Sequence, residues 1–101
     1  MENSNPSEFF INQNTPNPFC DSTHLQYYLP KKSRVKLSIY NVENKRVKKL
    51  VNEIQQQGTY DIKLQGKQFL ENCYYYEFIA TKPPLGLKVL FNQMKRMSII
   101  R

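Results

Sequence analysis

Tryptophan is missing from this 101-residue chain, histidine occurs once, and only three glycines and two cysteines are present. Each scarcity excludes something. Three ungrouped glycines make no phosphate-cradling loop, because such loops need several backbone N–H groups freed of side chains at close spacing. One histidine and two distant cysteines supply too few ligands for a closed four-ligand metal site. No cofactor and no metal is therefore expected. No run approaches the roughly 20 apolar residues that span a bilayer, so no membrane span is expected. The start of the chain is polar and carries Glu2 and Glu8, where a secretion signal has a basic start and an apolar run. Taken as complete, the chain is expected in the cytoplasm. Taken as a fragment of a signal-bearing precursor, it belongs at the cell surface or outside. In a reducing compartment Cys20 and Cys73 are expected as free thiols rather than a bridge.

Acids are scarce too: eight of them against fifteen Lys and Arg, for a net charge of +7. Such a surface is soluble and attracts anionic partners, but it dictates no fold. The acids are scattered, with neither a paired-carboxylate spacing nor a calcium-loop pattern. His24 lacks the sequence context of a catalytic triad, since neither Ser22 nor Ser38 sits in a nucleophile elbow. No catalytic residue is assigned, and the chain is expected not to be an enzyme.

What is present is a strand pattern. Residues 24–29 alternate, with Leu25, Tyr27 and Leu29 on one side. Residues 34–40 do so more regularly, with Val35, Leu37 and Ile39 opposed to Arg34, Lys36 and Ser38. This period of two marks strands with one face on a core and one in water. Residues 59–64 repeat it through Tyr60, Ile62 and Leu64. Residues 73–80 carry apolar groups on both faces, as a central strand does. Short strands are predicted at 46–51 and 95–100 as well, although Val47, Leu50, Val51 and Ile54 also fit a helical spacing. Residues 1–8 read as a flexible polar tail, residues 9–11 as an apolar clasp, and residues 14–19 as a proline-broken segment along an edge, with Phe19 tucked in. Residues 9–101 then form one domain, an all-β antiparallel sandwich of about seven strands, immunoglobulin- or fibronectin-III-like.

The cations cluster on two strands. Lys31, Lys32, Arg34 and Lys36 surround one, and Lys45, Arg46, Lys48 and Lys49 surround another. If these strands are neighbours, a positive stripe results, to which Tyr28 or Tyr40 adds a stacking surface for nucleic acid. The plainer and preferred reading is a solvated face whose lysines discourage edge-to-edge pairing. Tyr74, Tyr75 and Tyr76 invite the same choice between a stacking platform and core packing, and packing is preferred.

One ordered set of residues resembles a known family. Asn17-Pro18-Phe19, Ser22-Thr23, Tyr28-Leu29-Pro30 and residues 35–41 are followed by Arg46-Val47, Leu50-Val51-Asn52, Gly58-Thr59-Tyr60, Tyr74-Tyr75-Tyr76 and residues 95–101. Together they are similar to the FlgD-like immunoglobulin family and to the C-terminal sorting domains of type IX secretion cargo. The resemblance covers residues 9–101. It implies a seven-stranded sandwich without an active site, used as an export address or as a docking module. The chain departs from the pattern at Asn72, where a glycine is usual, and at Cys73, where an aliphatic is usual. Asn tolerates the left-handed backbone nearly as glycine does. With only about eight residues before the domain, an alternative expectation is a small stand-alone accessory subunit built into a large complex.

The link before the last strand, residues 81–93, stands where the resembled family has a tight hairpin, and such loops usually run 2–5 residues. It is apolar: Leu85, Leu87, Val89, Leu90 and Phe91. A loop of this kind either folds over an open sheet edge or docks into a protein partner, and these five residues are the candidate partner-binding set.

Overall fold

The structure, a computed structural model, describes residues 8–100. Seven strands make two sheets: β1 (Phe10–Ile11), β2 (Ser22–Leu29), β3 (Ser33–Tyr40), β4 (Arg46–Gln55), β5 (Gly58–Gln65), β6 (Cys73–Thr81) and β7 (Val89–Ser98). One sheet has the order β1-β2-β5 and the other β4-β3-β6-β7, with every ladder antiparallel. The all-β sandwich expected from the alternation is what forms. Of the expected tail, residues 1–7 lie outside the described residues, and Glu8 is exposed.

The inward residues of the alternating runs meet between the sheets. Leu25, Tyr27, Leu29 and Leu64 face Val35, Leu37, Ile39, Tyr76, Phe78 and Met97, all at 1% exposure or less. Area removed from water is the main stabilising term here. Tyr27 bridges the layers, with its ring 4.8 Å from Phe78 and 5.3 Å from Tyr60. Strand β6 is central, between β3 and β7, as its two apolar faces required.

Two boundaries differ from expectation. Strand β4 continues to Gln55, past the expected end at residue 51 and through the apolar positions that also fitted a helix. Its ladder with β3 is broken by register shifts at Leu37/Ser38 and Ile39/Tyr40. A bulge inserts a residue and resets the phase, which is why Leu50, Val51 and Ile54 fail to alternate. The link expected at 81–93 is also shorter. Thr81 ends β6 and Val89 opens β7, which leaves residues 82–88. The physical cause is Phe91. Its ring turns inward, 5.8 Å from Phe78 and stacked 5.8 Å from Phe9, and so draws residues 89–93 into the ladder.

The proline-broken segment passes from one sheet to the other: Thr15 bridges His24 on β2 through paired N–H···O bonds (3.0 and 2.9 Å), and residues 17–19 run along the free edge of β7. Asn17 Oδ1 accepts the Ser98 N–H at 2.9 Å. Phe19 donates its N–H to Ser98 O (3.0 Å) and its carbonyl accepts from Ile100 N–H (2.7 Å). The Phe19 side chain is buried beneath this bridge. At the entry to β6 the Tyr74 hydroxyl accepts the N–H groups of Leu70 (3.1 Å) and Glu71 (3.0 Å), fixing the corner between the sheets.

Gly66, in the 3₁₀ turn Gly66–Gln68 that follows β5, is buried against the chain at Cys20. A methyl group there runs into the Cys20 carbonyl oxygen, and backbone does not swing aside as a side chain does. Gly66→Ala is expected to cost about 1–3 kcal/mol through overpacking. Thermal denaturation reads this as a Tm lower by roughly 4–8 °C per kcal/mol.

Candidate interaction surfaces

The hairpin end of the four-stranded sheet is built by backbone. Lys82 donates its N–H to Lys88 O (2.8 Å), and Gly86 donates to Lys82 O (2.9 Å) with φ at 72°, a value that favours glycine. This turn holds Leu85, Leu87 and Val89 out in solvent, at 74, 85 and 58% exposure. Lys82 and Lys88 flank a shallow depression that the two leucines line with Pro83 and Pro84. The five candidate binding residues are thus divided. Leu85, Leu87 and Val89 form an exposed apolar tip, Leu90 is half-buried, and Phe91 packs inward.

The basic residues divide as well. Strands β3 and β4 are neighbours, so a stripe forms, but from fewer side chains than the sequence nominates. Lys36, Arg46 and Lys49 meet around a shallow depression on the outward face of the four-stranded sheet, with Ser38, Val51 and Asn52. Arg34 lies on the same face nearer the hairpin, its guanidinium 3.5 Å from Asn52 Oδ1. Lys31, Lys32 and Lys45 occupy turns, and Lys48 sits opposite the inward Ile39.

The tyrosines sort by strand phase. Tyr28 is buried and stacked on Phe10, so it offers no open ring. Tyr74 and Tyr76 are buried, while Tyr75 between them points outward and is half-buried, as is Tyr40. Register places Tyr40 opposite Arg46 on β4 and opposite Tyr75 on β6, and Tyr75 opposite Arg96 on β7. One row therefore crosses all four strands: Arg46, Tyr40, Tyr75, Arg96. Arg96 was not singled out in the sequence. Its signal was the alternation around the buried Met97 and Ile99, which turns residue 96 outward. Its Nε donates to the Cys73 thiol, 3.2 Å away.

His24 Nδ1 lies 3.3 Å from Asp61 Oδ1, with both side chains more than half exposed on the three-stranded sheet. Cys20 and Cys73 are free thiols. Among the described residues no three His, Cys, Asp or Glu side chains gather, and no helix is long and apolar enough to cross a membrane. No family model matches the sequence, and no curated protein matches it.

Proposed function

We propose that this chain is a non-catalytic protein-interaction module of the immunoglobulin-like class, similar in use to FlgD-like and type IX sorting domains. The observation that carries the reading is the apolar tip. Three large aliphatic side chains stand in water within five residues, Leu85, Leu87 and Val89, whereas the other exposed aliphatics, Val42, Val47, Ile54, Leu70 and Ile100, are scattered along the chain. Exposed apolar clusters of this kind mark binding surfaces. The immunoglobulin-like class is supported by three strands packed on four and by the Tyr74 hydroxyl bound back to the preceding corner, a feature of that class. The resemblance to sorting domains gains support from the role of Asn17 and Phe19, which fasten the last strand to the body of the domain.

The test is export of a secreted reporter fused ahead of the full chain, in a bacterium with type IX secretion. Surface display of the reporter is expected, and its retention in the periplasm overturns the sorting reading. The double variant Leu85→Ser, Leu87→Ser is expected to reduce display about tenfold or more, since each buried leucine contributes about 1.5–3 kcal/mol. Undiminished display by a folded double variant removes the hairpin from the mechanism.

A further inference from the structure

We infer that the outward face of the four-stranded sheet binds a single strand of nucleic acid, bases stacked on Tyr40 and Tyr75 and phosphates held by Arg46 and Arg96. The face lies at the opposite end of the sheet from the hairpin tip, so this site is separate from the one proposed above. Adjacent strands are about 4.8 Å apart, so the row across β4, β3, β6 and β7 spans roughly 14 Å. Its order is cation, ring, ring, cation.

Two observations favour this occupant. The first is that neither ring belongs to the hydrophobic core or pairs with another aromatic ring. Phe9, Phe10, Tyr27, Tyr28, Tyr60, Phe69, Tyr74, Phe78 and Phe91 all pack on another aromatic, whereas Tyr40 and Tyr75 do so with none among the described residues. They are half-buried on the outward face, beside the exposed Arg46 and Arg96. The second is charge. Arg46, Arg96, Lys36 and Lys49 lie on this face against one carboxylate, Glu77, and none of the four is ion-paired among the described residues. Aromatic rings interleaved with cations on an open sheet are the combination that holds unpaired bases, because every base has a π-face and every linkage a phosphate. A duplex hides its π-faces. An acidic protein uses the cations but leaves the two rings unused.

The experiment is fluorescence anisotropy with the full chain and a short labelled oligothymidine. Binding is expected at low salt, falling steeply as salt rises through release of counterions. Tyr40→Ala with Tyr75→Ala is expected to weaken it about tenfold per ring, while Tyr40→Phe with Tyr75→Phe retains it. Arg46→Gln with Arg96→Gln leaves the rings in place at exposed positions and is expected to flatten the salt dependence. Absence of binding at low salt overturns the inference, as does a folded double alanine variant that binds like the parent. A duplex of equal length, or an acidic polypeptide, bound as tightly as the single strand also overturns it, since charge alone then accounts for the face.

Discussion

Replacing Phe78 with alanine is expected to destabilise the domain by about 3–5 kcal/mol, the range for truncating a buried aromatic. Phe78 is fully buried at the centre of β6 and pairs in register with Leu37 on β3 and Gln93 on β7. Its ring meets Tyr27 of the other sheet at 4.8 Å and Phe91 at 5.8 Å. The side chain thus couples both sheets and holds the first residues of β7 against the core. Its neighbours are strand residues held by ladders, Tyr27 and Leu37 on both sides and Phe91 on one, which limits their collapse into the gap. A natural domain is stable by only about 5–15 kcal/mol, so the loss leaves little margin. Urea denaturation measures it as a lower midpoint at unchanged slope. Phe78→Leu keeps most of the volume and is expected to cost less than about 1.5 kcal/mol. An alanine variant within 1 kcal/mol of the parent would show that the two sheets do not depend on this ring.

Alkaline pH should unfold the protein through two tyrosines. Burial pushes the hydroxyls of Tyr27 and Tyr76 up from 10.0 to about 12. The Tyr76 hydroxyl accepts the Asn14 N–H (2.9 Å) and donates to Asn12 O (3.0 Å), and Tyr27 donates to Gln55 Oε1 (2.6 Å). The sign follows from which state ionises first. Below pH 10 both states are protonated and these groups confer no pH dependence. Between pH 10 and 12 the unfolded chain releases protons that the folded one retains, so stability falls as pH rises. A shift of two units corresponds to roughly 2.7 kcal/mol, so the pair together removes about 5 kcal/mol by pH 12. The tyrosinate absorbance of Tyr27 and Tyr76 is expected to appear well above pH 10, together with loss of the folded circular dichroism. The variant Tyr27→Phe with Tyr76→Phe is expected to lose less stability over the same interval. Ionisation of Tyr27 and Tyr76 near pH 10 in a still-folded protein, read as the difference from the double phenylalanine variant, would contradict this account.

Local pattern carried far where one strand face is buried. In β2, β3 and β5 the alternating inward residues were legible, because burial on one face forces a period of two, whereas in β6 the apolar groups on both faces marked a central strand and left its inward face open. Phe19 was legible for a different reason, since the prolines at 16 and 18 exclude regular structure and leave one large apolar residue to anchor the segment. The end of β4 was not legible, because a bulge is decided by the partner strand. Nor was the start of β7, where a run of apolar residues reads alike as loop or strand until Phe91 meets Phe9 and Phe78. The same limit divided the candidate residues. Leu85 and Phe91 are equally apolar in sequence, yet one is in water and the other is packed, half-buried, against the core.

By itself, then, the sequence determined the class of the fold, the inward faces of its regular strands and the sign of its charge, since these follow from composition and near-neighbour spacing. Only the tertiary structure decided which outward residues share a surface. Arg46, Tyr40, Tyr75 and Arg96 are scattered over fifty residues, and cross-strand register, set by the packed core and the bulges of β4, is what draws them into one row. The apolar tip was decided in the same way: the inward pull of Phe91 sets where β7 begins, and so which leucines are left outside.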